Sequence, residues 1–206
     1  MRQALRSWKY RMELAAGRFR SDEPEYRQLA DLVKPGDWVL DIGANVGQYT
    51  LRFSELAGSE GRVIAFEPIA ETAEILAAMA RRARHPNITV MNIALSERAG
   101  TLRFAVPLGK EGLPNYFQAR ARSEGDRTVL CMSLDELPLP HRIALIKIDA
   151  EEHEVSILRG MKRLIEHDRP ILIIEGHEGI YREFLAEHGY RMQPKHPGSC
   201  NMVFLP

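Results

Sequence analysis

The chain of 206 residues has no excess charge of either sign: 28 basic and 28 acidic side chains cancel to zero. That balance removes the bulk positive field with which a protein gathers nucleic acid or an anionic membrane surface. It has only two cysteines, Cys131 and Cys200. Two are too few for a disulfide framework. Cys131 lies in the apolar run Val129-Leu130-Cys131-Met132 and reads as a core residue. Long hydrophobic runs are absent. The best, Ile171 to Ile174, is far too short to span a bilayer. The N-terminus also lacks the continuous apolar stretch of a signal peptide. The expectation is a soluble cytoplasmic protein with no membrane span and no nucleic-acid partner. Zinc spacing of the His-Glu-x-x-His kind is missing, and no metal ligand is assigned. Nothing in the chain speaks to its oligomeric state.

What is present alternates. The length suits one domain. Residues 2 to 20 read as a basic amphipathic helix, with Leu5, Trp8, Met12 and Ala15 on one face. Ser21-Asp22-Glu23-Pro24 starts a second helix. Residues 1–34 are therefore expected as a helical segment packed on a domain spanning 35–206. Helices are predicted over Val46 to Ala57, Glu71 to Arg84, Glu154 to Glu166 and Gly179 to His188. Strands are predicted at Ile88 to Ile93, Thr101 to Val106, Thr128 to Met132, Ile143 to Ile148 and Ile171 to Ile174. Tyr190 to Met192 and Met202 to Leu205 form a terminal hairpin. Such alternation predicts an α/β fold, a parallel sheet covered on both faces. Pro107 to Arg127 is the exception, a long polar loop of the kind that is usually functional or disordered. Its Asn115, Tyr116, Phe117, Arg120 and Arg122 are placed to touch a substrate.

The most informative stretch is Val39-Leu40-Asp41-Ile42-Gly43-Ala44-Asn45-Val46-Gly47, followed by Arg62-Val63-Ile64-Ala65-Phe66-Glu67-Pro68. Each apolar run ends in an acid, and a glycine turn and a helix lie between them. An open parallel sheet builds a nucleoside pocket in this way, at the carboxyl ends of its strands. Gly43 and Gly47 let the backbone approach a ligand, and Glu67 is placed to accept hydrogen bonds from ribose hydroxyls. A dinucleotide turn needs a further glycine for its pyrophosphate, and that glycine is absent here. Asp41 before the turn favours a cationic ligand. S-Adenosylmethionine, an adenosine bearing a sulfonium and an amino group, meets both demands.

The second unusual stretch is Ile146-Lys147-Ile148-Asp149-Ala150-Glu151-Glu152-His153-Glu154. Ile173-Ile174-Glu175-Gly176-His177-Glu178 repeats its pattern on the next strand. Both strands end in acids plus a histidine, on the edge where the nucleoside pocket lies. Histidine near neutral pH can take a proton from a hydroxyl, and a nearby carboxylate raises its basicity. The same donors could instead hold Mg²⁺ or a transition metal.

These residues resemble the FkbM-type S-adenosylmethionine-dependent methyltransferases, over roughly Pro35 to Phe204. Three motifs carry the resemblance: Asp41 to Gly47, Asn92-Ile93-Ala94-Leu95-Ser96 with Gly100, and Ile146 to Glu154 running on to Leu158-Arg159-Gly160. The family usually has glycine where this chain has Glu152, whose side chain would narrow the site or carry an acid into it. The resemblance implies a Rossmann-like class I methyltransferase fold. Its seven-stranded, mostly parallel sheet has helices on both faces and an antiparallel last strand. It also implies methyl transfer, usually to the hydroxyl of a sugar, glycan or small natural product. The cofactor S-adenosyl-L-methionine would meet Asp41, Gly43, Asn45, Gly47, Glu67, Asn92, Ala94 and Asp149. His153 is the expected base, with Asp149 near the methionyl amino group and Glu151, Glu175 and His177 orienting the acceptor or sharing the base role. The rival readings are a nicotinamide-dependent oxidoreductase and a non-catalytic S-adenosylmethionine-binding domain.

Overall fold

The computed structural model describes residues 8–10, 12–13, 15–16, 18–108, 114–176 and 178–206. In chain order the strands are β1 (Trp38–Ile42), β2 (Arg62–Phe66), β3 (Ile88–Met91), β4 (Ala94–Leu95), β5 (Gly100–Ala105), β6 (Arg120–Ala121), β7 (Arg127–Met132), β8 (Ile143–Ile148), β9 (Ile171–Glu175), β10 (Arg191–Met192) and β11 (Asn201–Leu205). Seven of them form one sheet in the order β10-β11-β9-β8-β1-β2-β3. Every described pairing in it is parallel except those of β11, which runs antiparallel to both neighbours. The expected antiparallel last strand and the terminal hairpin are therefore both present.

The central strands are apolar on both faces because both faces are covered. Val39, Val63, Leu145 and Ile173 meet Leu29 and Phe53 on the helices Pro24–Leu32 and Gln48–Ala57. Leu40, Ile42, Ile146, Ile148 and Ile174 meet Ile157, Ile165 and Leu185 on the helices Glu154–Arg159, Lys162–Asp168 and Glu178–Glu187. Cys131 is buried, as its apolar run implied.

The structure departs from the sequence reading in four places. The strands predicted at Thr101 to Val106 and Thr128 to Met132 leave the main sheet. As β5 and β7 they pair antiparallel in a second sheet of order β4-β7-β5-β6. Much of β5 is exposed, as suits an antiparallel sheet with a solvated side. The expected loop from Pro107 contributes β6, which pairs with β5, and residues 109–113 lie outside the described set. The helix expected over Glu154 to Glu166 breaks at Gly160, where a Cβ would lie 2.1 Å from the Ser96 carbonyl oxygen. Its second half restarts with Asp135 accepting from the Arg163 and Leu164 amides at 3.0 and 3.1 Å. Finally, Trp8 and Met12 are more than half exposed, at 59% and 51%. Among the described residues before the helix Pro24–Leu32, it is Phe19 that is buried, packed with Val46, Ile75 and Met79.

Among the described residues no helix is long and apolar enough to cross a membrane.

Candidate functional site

The turn after β1 is built from left-handed residues, Gly43 (φ 75°), Asn45 (50°) and Gly47 (96°). Gly43 is required by the protein's own packing and Gly47 by its left-handed backbone. A Cβ on Gly43 would lie 1.7 Å from the Asp149 carbonyl oxygen, and one on Gly47 would lie 2.5 Å from Leu76. The glycine spacing thus brings the end of β8 and the helix Ala70–Ala80 onto the turn, a role the sequence reading gave to ligand approach. Glu67, only 5% exposed, is the hub of this region. Its carboxylate accepts from the Asn45 and Ile69 amides, each at 2.9 Å. Asn92 donates to the Glu67 and Pro68 carbonyls at 2.8 and 3.0 Å. Burial pushes the Glu67 carboxyl up to about 7, against the two amides that favour its charge.

Beside the turn, Asp41 opposes Lys147 in the β1–β8 register. Lys147 is a cation 2% exposed. Its Nζ lies 2.8 Å from Asp149 Oδ2 and 4.6 Å from the centre of the Tyr49 ring. Burial alone would lower its pKa, but Asp149 and Asp41 outweigh burial and raise it. Asp41 accepts from Thr50 Oγ1 at 2.5 Å. Burial lifts its carboxyl to about 6, with Lys147 opposing. Burial would also raise Asp149, yet the charge and hydrogen bond of Lys147, with a hydrogen bond from Glu175, hold it below the ordinary aspartate value. Glu175 goes the other way, to about 8, through burial and then the Asp149 charge. At neutral pH the pair therefore holds about one proton between its two carboxylates, with Glu175 the more basic partner.

His153 caps the helix Glu154–Arg159 by position, and its Nε2 lies 3.0 Å from Ser96 Oγ. Burial lowers the imidazole pKa, with the Glu154 charge opposing. The ring is thus neutral at pH 7 and able to accept a proton. Glu154 does not hydrogen-bond the ring. Its Oε1 accepts from the Ala150 and Glu152 amides at 3.1 and 3.2 Å, and its Oε2 from the Tyr181 hydroxyl at 3.0 Å. Its orienting effect is on the turn that carries His153.

These groups meet at one cleft, open to solvent, at the carboxyl ends of the strands. Gly43, Asn45, Glu67, Ala94, Asp149, Glu151, His153 and Glu175 all stand on its wall. Asp41 and Gly47 stand behind the wall, and Asn92 braces the Glu67–Pro68 backbone. His177 lies outside the described residues. Glu152 does not enter the cleft; its carboxylate turns outward to Arg120 and Arg122. Of the loop residues expected at a substrate, Tyr116 is on the wall, and Asn115 bonds Gln118 instead. The sequence reading missed the structural weight of Lys147 and the Ser96 contact. A lone lysine in the apolar strand Ile143–Ile148 was the available signal for the first.

The cleft also fits a cofactor bearing hydrogen-bond donors and positive charge. Asn45 Oδ1 is buried without a partner among the described residues, and the wall supplies carboxylates beside it. Sheet order, antiparallel last strand and cleft position together define the class I S-adenosylmethionine-dependent methyltransferase fold. Within that class the profile of the methyltransferase FkbM domain matches residues 41–192, and the chain belongs to this family. Its cofactor is S-adenosylmethionine. The FkbM methyltransferase of Methylobacillus flagellatus KT superposes with a TM-score of 0.61 at 18% identity, over 89% of this chain and 50% of that one. The chain thus spans half the length of that protein. An S-adenosylmethionine-dependent methyltransferase from Aquifex aeolicus superposes at 0.53 with 17% identity, over 89% of each chain. Fibrillarin from Aeropyrum pernix, with natively bound S-adenosyl-L-methionine, superposes at 0.53 with 16% identity, over 85% of this chain and 68% of that one. No curated protein sequence matches the chain.

Proposed function

We propose that the chain transfers a methyl group from S-adenosylmethionine to a hydroxyl of a sugar, glycan or small natural product. One observation carries the reading: a single cleft holds both the Glu67–Asn45 turn and His153. The bound cofactor supplies an electrophilic methyl on its sulfonium. The protein's own part is to position and deprotonate. Glu67 and Asn45 offer acceptors for ribose hydroxyls, and the apolar wall of Ile69, Ala94 and Phe104 suits the base. Asp149, kept ionised by Lys147, favours an ammonium group nearby. His153, neutral and bonded to Ser96, takes the acceptor's proton as the new bond to oxygen forms. Glu151 and the proton-bearing Glu175 orient the acceptor. Much of the remaining rate comes from holding the reactants in line. Because Glu152 turns away from the cleft, it gives no support to a non-catalytic reading.

The test is methyl-labelled cofactor incubated with a panel of glycans and hydroxylated small molecules, alongside calorimetry of cofactor binding. Label should appear in an oxygen-linked methyl. Tight binding with no transfer to any acceptor would instead favour a binding domain.

A further inference from the structure

Two walls of the cleft come from separate parts of the fold. The turn after β8 supplies Asp149, Ala150, Glu151 and His153, and the small sheet side supplies Phe104, Tyr116 and Ala119. Three ion pairs bridge the two parts. Arg120 lies 3.2 Å from Glu151 and 2.7 Å from Glu152, and Arg122 lies 2.6 Å from Glu152. Arg120 opens β6, a two-residue strand at the edge of its sheet that pairs, among the described residues, with β5. One further backbone bond, from the Arg122 amide to the Arg103 carbonyl at 2.9 Å, extends that pairing. So short an edge has little backbone bonding to hold it in place.

Glu152 has φ 77°, in the region that favours glycine, and Glu151 before it has φ 49°. The Glu152 side chain is 55% exposed and fills no core. Each of its carboxylate oxygens accepts from a different arginine. A glycine would relax the backbone here and lose both bonds. What the glutamate adds at this position is the bridge.

We propose that Glu152 is a positioning residue. By clasping Arg120 and Arg122 it holds the wall of Tyr116 and Ala119 against the Asp149–His153 turn, and so slows the release of cofactor from the cleft. The inference rests on the S-adenosylmethionine reading of that cleft. The pairs are at the surface, so dissolved salt screens them. The clasp is tight at low ionic strength and slack at high.

The experiment measures S-adenosylmethionine release by rapid-mixing displacement from wild type, Glu152→Gln, Glu152→Gly and Glu152→Asp. At low salt the Gln and Gly variants should release cofactor about 5–10-fold faster, the scale of one or two exposed ion pairs. Wild type should reach the same rate at about 0.5 M salt, where the Debye length has shrunk to a few ångström. The Gln and Gly variants should respond to salt less than wild type, through the remaining Arg120–Glu151 pair, and Asp should restore part of the hold. KM for cofactor should rise while kcat is kept. Unchanged release in both variants, with wild type binding well, overturns the clasp. If wild type does not bind S-adenosylmethionine at all, the cofactor reading fails and the clasp is judged without ligand. Amide exchange over residues 116–122 must then be faster in Glu152→Gln than in wild type, and equal exchange overturns it.

Discussion

Glu67 does two things at once, and its removal should show both. Its carboxylate closes the backbone amides of Asn45 and Ile69 and faces the cleft. Glu67→Ala should cost about 1.5–3 kcal/mol of cofactor affinity, the usual worth of hydrogen bonds to a charged group. It should also lower the stability of the ligand-free protein, because two buried amides lose their acceptor. Calorimetry and thermal melts separate the two effects, and unchanged affinity in a folded variant would remove Glu67 from the ribose site. His153 is tested differently. Its alanine variant should slow methyl transfer by about 10²–10⁴-fold, the span of a positioned general base. Cofactor affinity should barely move. Burial lowers the imidazole pKa, so the wild-type rate should hold through neutral pH and fall only on the acid side of ordinary histidine. The variant should lack that limb. If Glu175→Gln shows the large loss and His153→Ala does not, the base belongs to the Asp149–Glu175 pair.

At the scale of elements, Gly43 is where β1 and β8 lock together. A side chain there must displace the Asp149 carbonyl, which a Cβ would approach to 1.7 Å. Gly43→Val should therefore lose cofactor binding and also melt several degrees lower, since a misfit in a packed core costs about 1–3 kcal/mol. Normal binding with an unshifted melt would mean the turn can open without consequence. The acids at the strand ends were legible in the sequence because each closes an apolar run with a charge, and the sheet gathers those ends on one edge. The second sheet was not legible. An apolar run such as Val129-Leu130-Cys131-Met132 reads as a strand but does not say which strand it joins. The need for glycine at 160 was hidden for the same reason, because the carbonyl that leaves no room for a Cβ belongs to Ser96, far away in the chain. The outward turn of Glu152 depends on arginines some thirty residues earlier, which only the fold brings near.

Across the whole molecule, several buried acids should make stability fall as pH rises. Glu67 and Glu175 titrate in the folded chain near 7 and 8, whereas the unfolded carboxyls ionise near 4.3. Between about pH 6.5 and 8 the folded state therefore holds protons that the unfolded state has already lost. Stability falls with pH wherever the folded state binds more protons. Glu175 owes its proton to burial first and to ionised Asp149 second, with Lys147 opposing and the Glu23 charge adding to Asp149. The lowered pKa of His153 acts in the opposite sense, but only below the ordinary imidazole value, where the unfolded histidine charges first. The melting temperature of the ligand-free protein should therefore drop from about pH 6.5 to about pH 8. Glu175→Gln should flatten the slope, because its amide stays neutral in both states. Bound S-adenosylmethionine should flatten it as well, since positive charge in the cleft stabilises the ionised carboxylates. Binding should accordingly release protons, and its affinity should rise over the same interval. The measurements are thermal melts across pH with and without cofactor, together with calorimetry in two buffers of different ionisation enthalpy. A melting temperature that climbs from pH 6.5 to 8 in the free protein would show that Glu67 and Glu175 are already ionised in the folded state.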